Sequence, residues 1–188
     1  MKNKIIFPII LIGILGIAVV VGLSIFGGKT AQEAFLETYG LAGMDIKEIV
    51  YQLDSQIDEP RELVSSINGE KLSLSDGKTS VELDLPEDSF YLSFAPYETT
   101  THPCAFHSLS SCRGELENVP VYTTITDENG TVIIEEEMET MANGFVGVWL
   151  PKNIRATIEV AYNGKSASAP ISTFADSETC LTTPLKLN

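Results

Sequence analysis

Three hydrophobic patterns succeed one another along the chain. From Ile5 to Phe26 there are 22 consecutive residues without a charge, preceded by Lys2 and Lys4. A helix of that length spans about 33 Å, enough for a bilayer core of about 30 Å. A helical pattern follows. Thr30-Ala-Gln-Glu33 has the form of a capping box and predicts a helix that starts there and ends near Gly40. Asp45 can cap a second helix, in which Ile46, Ile49, Val50 and Leu53 fall at i, i+3, i+4 and i+7 and make one apolar stripe. Pro60, early in Glu59-Pro60-Arg61-Glu62-Leu63-Val64, suits the first turn of a short third helix.

Beyond Ile67 the period becomes two. Val81, Leu83 and Leu85 alternate with Glu82 and Asp84, and Phe90, Leu92 and Phe94 with Tyr91 and Ser93, which predicts strands with one buried face. Further strands are expected at Val119–Thr126, Thr131–Glu137, Gly144–Leu150, Ile154–Tyr162 and Lys165–Ile171. Asn68-Gly69, Asp76-Gly77, Asn129-Gly130, Asn143-Gly144 and Asn163-Gly164 supply residues that tolerate positive φ in tight turns. The fold expected is α+β, a small N-terminal helical segment followed by an antiparallel β-sandwich. The stretch from Val119 to Gly130, with Thr140, Asn143-Gly144-Phe145 and Leu150-Pro151, resembles transthyretin-like or carboxypeptidase-regulatory sandwiches, a transthyretin/Ig-like scaffold that implies no reaction. Phe145 and Trp149 read as core. The division expected is 1–29 as transmembrane anchor or signal segment, 30–67 as helical region and 68–188 as β-rich metal-binding domain.

Charge separates the leader from the body. Of 12 Lys and Arg, three (Lys2, Lys4, Lys29) stand in the first 30 residues with no acid, so the remaining nine face all 26 acids, a net charge of −17 on the body. No basic stripe is present to displace counterions from a phosphate backbone, which argues against nucleic acid as partner. Positive charge before the span and an acidic body after it place the body outside the cytoplasm. The apolar run is longer than the usual signal-peptide core, and Ser24-Ile-Phe-Gly-Gly-Lys29 is a poor cleavage match, so a retained membrane anchor is expected, with cleavage and a secreted or periplasmic body as the alternative. No cysteine lies near the end of the span to carry a bacterial lipid.

The candidate chemistry is clustered. In His102-Pro-Cys104-Ala-Phe-His107-Ser-Leu-Ser-Ser-Cys112, both histidines and two of the three cysteines occupy eleven residues, on what Pro96 and Pro103 mark as an irregular loop. The third cysteine, Cys180, is distant in sequence. One reading is a Cys104–Cys112 disulfide, favoured by an oxidising compartment, in an extracellular adhesion or interaction module without metal. That leaves an odd thiol, which should be reactive or a ligand. The other reading is a metal site. Three thiolates with imidazole and no clustered carboxylate select Cu(I) or Zn(II) over Ca(II) or Mg(II). Zinc remains an alternative, but three sulfurs suit a three-coordinate ion, and the seven-residue gap is unlike the usual structural-zinc spacing.

These residues carry a more specific likeness. His102-Pro103-Cys104, Ser108-Leu109, Cys112, Gly114-Glu115-Leu116, Thr179-Cys180 and Thr182-Thr183 resemble the CueP family of exported bacterial copper-binding proteins. The resemblance implies that Cys104, Cys112 and Cys180 bind copper, that copper is buffered or passed to an exported copper-accepting protein, and that thiols reduce Cu(II) to Cu(I). Cys104 and Cys112 are then the candidate redox pair, Cys180 completes the Cu(I) site, and His107 is an auxiliary ligand or first acceptor of transient Cu(II).

Overall fold

The structure, a computed structural model, describes residues 29–57 and 62–188. The expected anchor or signal segment falls outside them apart from Lys29. Among the described residues no helix is long and apolar enough to cross a membrane.

Helix α1, Ala31–Thr38, begins with the predicted capping box: the Thr30 hydroxyl accepts from the Glu33 amide while the Glu33 carboxylate accepts from the Thr30 amide. Helix α2, Ile46–Ser55, repeats the device with Asp45 and Glu48. Each box satisfies amides that have no partner inside the helix. Along α2 the stripe of Ile49, Val50 and Leu53 is buried, and Asp54 is buried with it.

The third helix expected from Pro60 does not extend through residues 62–67; Pro60 itself lies outside the described residues. Glu62 and Leu63 bend and Val64–Ile67 is strand β1. The cause is an alternation that a serine conceals, since Leu63, Ser65 and Ile67 are the buried positions. Strands β2 (Lys71–Ser75) and β3 (Ser80–Asp84) complete an antiparallel sheet in the order β1-β2-β3.

Strand β4 (Ser89–Phe94) pairs antiparallel with β7 (Val146–Pro151) and parallel with the two-residue β10 (Cys180–Leu181). The third sheet, ordered β6-β5-β8-β9, is antiparallel throughout: β5 is Pro120–Asp127, β6 Val132–Glu139, β8 Arg155–Tyr162 and β9 Lys165–Ser172. Its β8–β9 hairpin turns on Asn163 and Gly164, both at positive φ, as a two-residue turn matched to strand twist requires.

The β4 sheet is the middle layer. Phe90, Leu92, Phe94, Val148 and Leu150 meet Val121, Ile125, Ile158 and Val160 of the four-stranded sheet on one side. Each such side chain, fully buried, contributes about 1.5–3 kcal/mol relative to exposure. On the other side Tyr91 and Trp149 join a cluster that includes Ile49, Val50 and Leu53 of α2 and Ile67, Leu72 and Leu74 of the first sheet. The expectation that β4 buries a single face is therefore corrected. Tyr91 and Ser93 are buried as well, because α2 and the first sheet lie over them. The α+β class holds. The described residues form three sheets, one with a parallel pair, where a two-sheet, wholly antiparallel sandwich was expected.

Candidate metal centre

The predicted loop lies between β4 and β5 and is irregular, as its prolines require. It is tied at both ends and in the middle. His107 forms a bridge to Ile67 at the end of β1, with the Ile67 amide donating to the His107 carbonyl at 2.9 Å. The Thr179 hydroxyl accepts from the His107 amide at 3.0 Å and donates to the Ile67 carbonyl at 2.7 Å, so one buried side chain joins β1, the loop and the tail. The amides of Thr179 and Cys180 both donate to the Ala105 carbonyl, at 2.9 and 3.2 Å, and Thr182 donates to the His102 carbonyl at 2.6 Å. Glu115 secures the loop entrance by accepting from the amides of Glu98, Thr99 and Thr100 and from the Thr99 hydroxyl. The Thr99 hydroxyl and these amides hold its carboxyl down to about 2, against the opposing effect of burial.

Register explains how a residue so far along the chain arrives. Cys180 pairs with Ser93 in the parallel β4–β10 ladder, and Leu181 with Phe94. Paired positions share a face, so Leu181 joins the main core with Phe94 while Cys180 takes the opposite face with Ser93. That is the face covered by α2 and the loop. There the thiols of Cys104, Cys112 and Cys180 and a ring nitrogen of His107 all lie within 4.8 Å of one another. All three cysteines are thiols, with the Sγ atoms of Cys104 and Cys112 in contact at 3.5 Å. Cys112, Cys180 and His107 are buried, while Cys104 is partly open to solvent. An ion or a reagent arriving from outside meets Cys104 first.

Beneath the thiols lies a polar floor that the sequence reading did not single out. His107 Nε2 is 2.7 Å from Asp54 Oδ1, with both side chains fully buried. Asn143 Nδ2 donates to the same oxygen at 2.8 Å and to the Asp54 carbonyl at 2.7 Å. Tyr91 donates to Asp54 Oδ2 at 2.6 Å and Ser93 at 3.4 Å. His107 Nδ1 is buried and has no hydrogen-bond partner among the described residues. Phe145 packs on the imidazole, ring centroids 4.7 Å apart, so its burial is at the site as well as in the core. Gly144, at positive φ, lets the Asn143–Phe145 turn press against Gly114, where a Cβ on either glycine would collide with the other's backbone.

The electrostatics follow from this packing. Burial opposes a charge on His107, but attraction and hydrogen bonding to Asp54, aided by the thiols of Cys104 and Cys112, hold its pKa well above the usual value. Hydrogen bonds from Cys104 and Cys180 push the Cys112 thiol strongly down despite its burial, with His107 helping. Cys180 shifts up through its hydrogen bonds to Cys104 and Cys112, reinforced by burial. Of these two thiols Cys112, next to the imidazole, therefore ionises before Cys180. Burial, then the charge of and hydrogen bond to Asp54, push Tyr91 well up, so it stays a donor.

A family model described as periplasmic copper-binding protein CueP matches residues 48–186. The chain belongs to the CueP family. The crystal structure of S.CueP, 48% identical, superposes with a TM-score of 0.82, and the match covers 86% of this chain and 99% of that one. No curated protein matches the chain. The family description as periplasmic fits the cleaved alternative for the leader better than a retained anchor.

All four candidate ligands, Cys104, Cys112, Cys180 and His107, are thus brought together; His102 is not among them. Asp54 has a signal in the sequence. It stands at i+8 from Ile46, the position that continues the apolar stripe of α2, and a carboxylate there must be buried with a partner.

Proposed function

We propose that the protein is an extracytoplasmic copper-binding protein that captures copper with the thiols of Cys104, Cys112 and Cys180 and with His107, and that the same thiols reduce Cu(II) to Cu(I). The observation that carries this reading is the convergence of three sulfurs and one imidazole nitrogen within 4.8 Å. Thiolates are soft and hold Cu(I), whereas the imidazole also suits the harder Cu(II) on arrival. Membership of a family described as periplasmic and copper-binding supports both the cargo and the compartment.

The redox step balances within the site. Cys104 and Cys112, in sulfur–sulfur contact, form one disulfide bond, release whatever protons their sulfurs still carry and give two electrons, which reduce two Cu(II) to two Cu(I). The step consumes two of the ligands, so lasting retention of Cu(I) belongs to the fully reduced protein. An external dithiol that cleaves the disulfide restores it. Release of Cu(I) to an exported acceptor protein is the corresponding delivery step, with partly open Cys104 as the point of contact.

The test is anaerobic addition of Cu(II) to the fully reduced protein, reading Cu(I) with a chromophoric chelator and free thiols in parallel. One thiol should disappear per Cu(I) formed, and Cys104→Ser or Cys112→Ser should stop both changes. Cu(II) that binds with no loss of thiol rules out the reductive step.

A further inference from the structure

We infer that Asp54 is a positioning residue for the copper site: by holding Nε2 of His107 it turns Nδ1 of the same ring onto the three sulfurs. The inference rests on the proposed role of His107 as a copper ligand.

The floor of the site is arranged around that one hydrogen bond. An imidazole offers two nitrogens, and which of them a metal takes is decided by the bond the other makes. Here Nε2 is engaged by a carboxylate at 2.7 Å. The carboxylate cannot swing away, because Asn143 holds its Oδ1 and its backbone carbonyl, and Tyr91 and Ser93 hold Oδ2. Phe145 closes the side of the ring. What remains open is Nδ1, buried and without a partner.

A histidine retained only for packing would have both nitrogens satisfied, since an unpaired buried polar atom costs about 1–3 kcal/mol. A carboxylate retained only for packing is harder still to account for, because burying one is costly unless it is paired. The pair makes physical sense if the open nitrogen is reserved for a ligand. Asp54 reaches the site from α2, about fifty positions before the loop, so the helical layer takes part in the metal centre as well as covering the sheet.

The experiment uses the full chain in its wild-type, Asp54→Asn, His107→Ala and doubly substituted forms. An asparagine amide can present either its oxygen or its N–H to Nε2, so the ring is no longer held in one orientation. With Cu(II) added at low temperature before reduction, electron paramagnetic resonance should reveal imidazole-nitrogen coupling in the wild type. Asp54→Asn should lose that coupling as His107→Ala does, the double variant should lose nothing more, and Cu(I) affinity should fall about 10-fold with either. Imidazole nitrogen chemical shifts of the isotope-labelled wild-type protein, with and without Cu(I), should place the metal on Nδ1 and a proton on Nε2. This second measurement needs no variant and decides the matter even if Asp54→Asn does not fold.

Copper on Nε2, or an Asp54→Asn protein that keeps the nitrogen coupling His107→Ala removes, overturns the inference. If His107→Ala keeps the coupling and the wild-type ring shifts ignore Cu(I), His107 is not a ligand and the inference falls with that assignment. The sulfur site is judged separately by the cysteine variants.

Discussion

The hydroxyl of Tyr91 occupies the space that a side chain on Gly147 would need. Gly147 pairs with Ser93 across the β4–β7 ladder, and its missing Cβ lets Tyr91 lie flat enough to donate to Asp54. Gly147→Ala should displace Tyr91 and destabilise the fold by about 1–3 kcal/mol, the usual cost of overpacking. Denaturant unfolding measures this, and unchanged stability would mean that Tyr91 moves freely and that the floor is softer than described.

Thr179 makes a sharper demand. Its hydroxyl satisfies both the His107 amide and the Ile67 carbonyl in a fully buried position. Thr179→Val keeps the shape and removes both bonds. We expect a loss of about 1–3 kcal/mol in unfolding free energy and weaker Cu(I) binding in chelator competition. A stable variant with undiminished copper affinity would show that the tail finds its place without this stitch.

The cysteines should act as one unit. Cys104→Ser, Cys112→Ser and Cys180→Ser are each expected to lower Cu(I) affinity by at least about tenfold, about 1.4 kcal/mol, and by similar amounts. Competition against a chromophoric chelator under anaerobic conditions gives the comparison. An unaffected Cys180→Ser protein would reduce the site to the loop alone.

Acid should loosen the loop entrance through Glu115. Its folded pKa of about 2 lies below the unfolded value of about 4.3. A depressed carboxyl stabilises the fold fully above the unfolded pKa, and that contribution drains away as pH falls from about 5 towards 2. Glu115→Gln lacks the charge at every pH. The stability gap between wild type and Glu115→Gln, measured by denaturant on the metal-free protein, should be widest near pH 6 and shrink with acid. A constant gap would assign the effect of Glu115 to something other than its ionisation.

The legible parts of this protein were those written in short range or in rare residue types. The capping box at Thr30 and the cap at Asp45 need only a few neighbouring residues each, and both formed, the second as a full box with Glu48. Strands β3, β4 and β8 carried clear alternation, and turn pairs marked hairpins such as β8–β9. The loop from His102 to Cys112 stood out because soft ligands are scarce in the chain and gathered there. Harder to read was whatever depends on what lies opposite. Val64–Ile67 and Lys71–Ser75 bury a serine or intersperse serines among few apolar positions, which blurs the period. Tyr91 and Ser93 read as solvent-facing because both are polar, yet the face they line is the wall of the candidate metal centre. Asp54 has partners, His107 and Asn143, that come from 53 and 89 residues away, beyond the reach of any local pattern. The approach of Cys180 was indicated by the surplus thiol and the family likeness, and its route, a two-residue parallel strand, is too short for any local pattern to announce.

The pairing of Cys180 with Ser93 means that the proposed donor set is complete only when nearly the whole polypeptide has been delivered. An extended chain in synthesis or in transit holds two sulfurs eight residues apart and a third 68 residues further on, a loose collection with little chelate effect. On the proposed three-sulfur site, metal capture follows finished folding, and a truncated or half-threaded molecule should hold the ion more weakly.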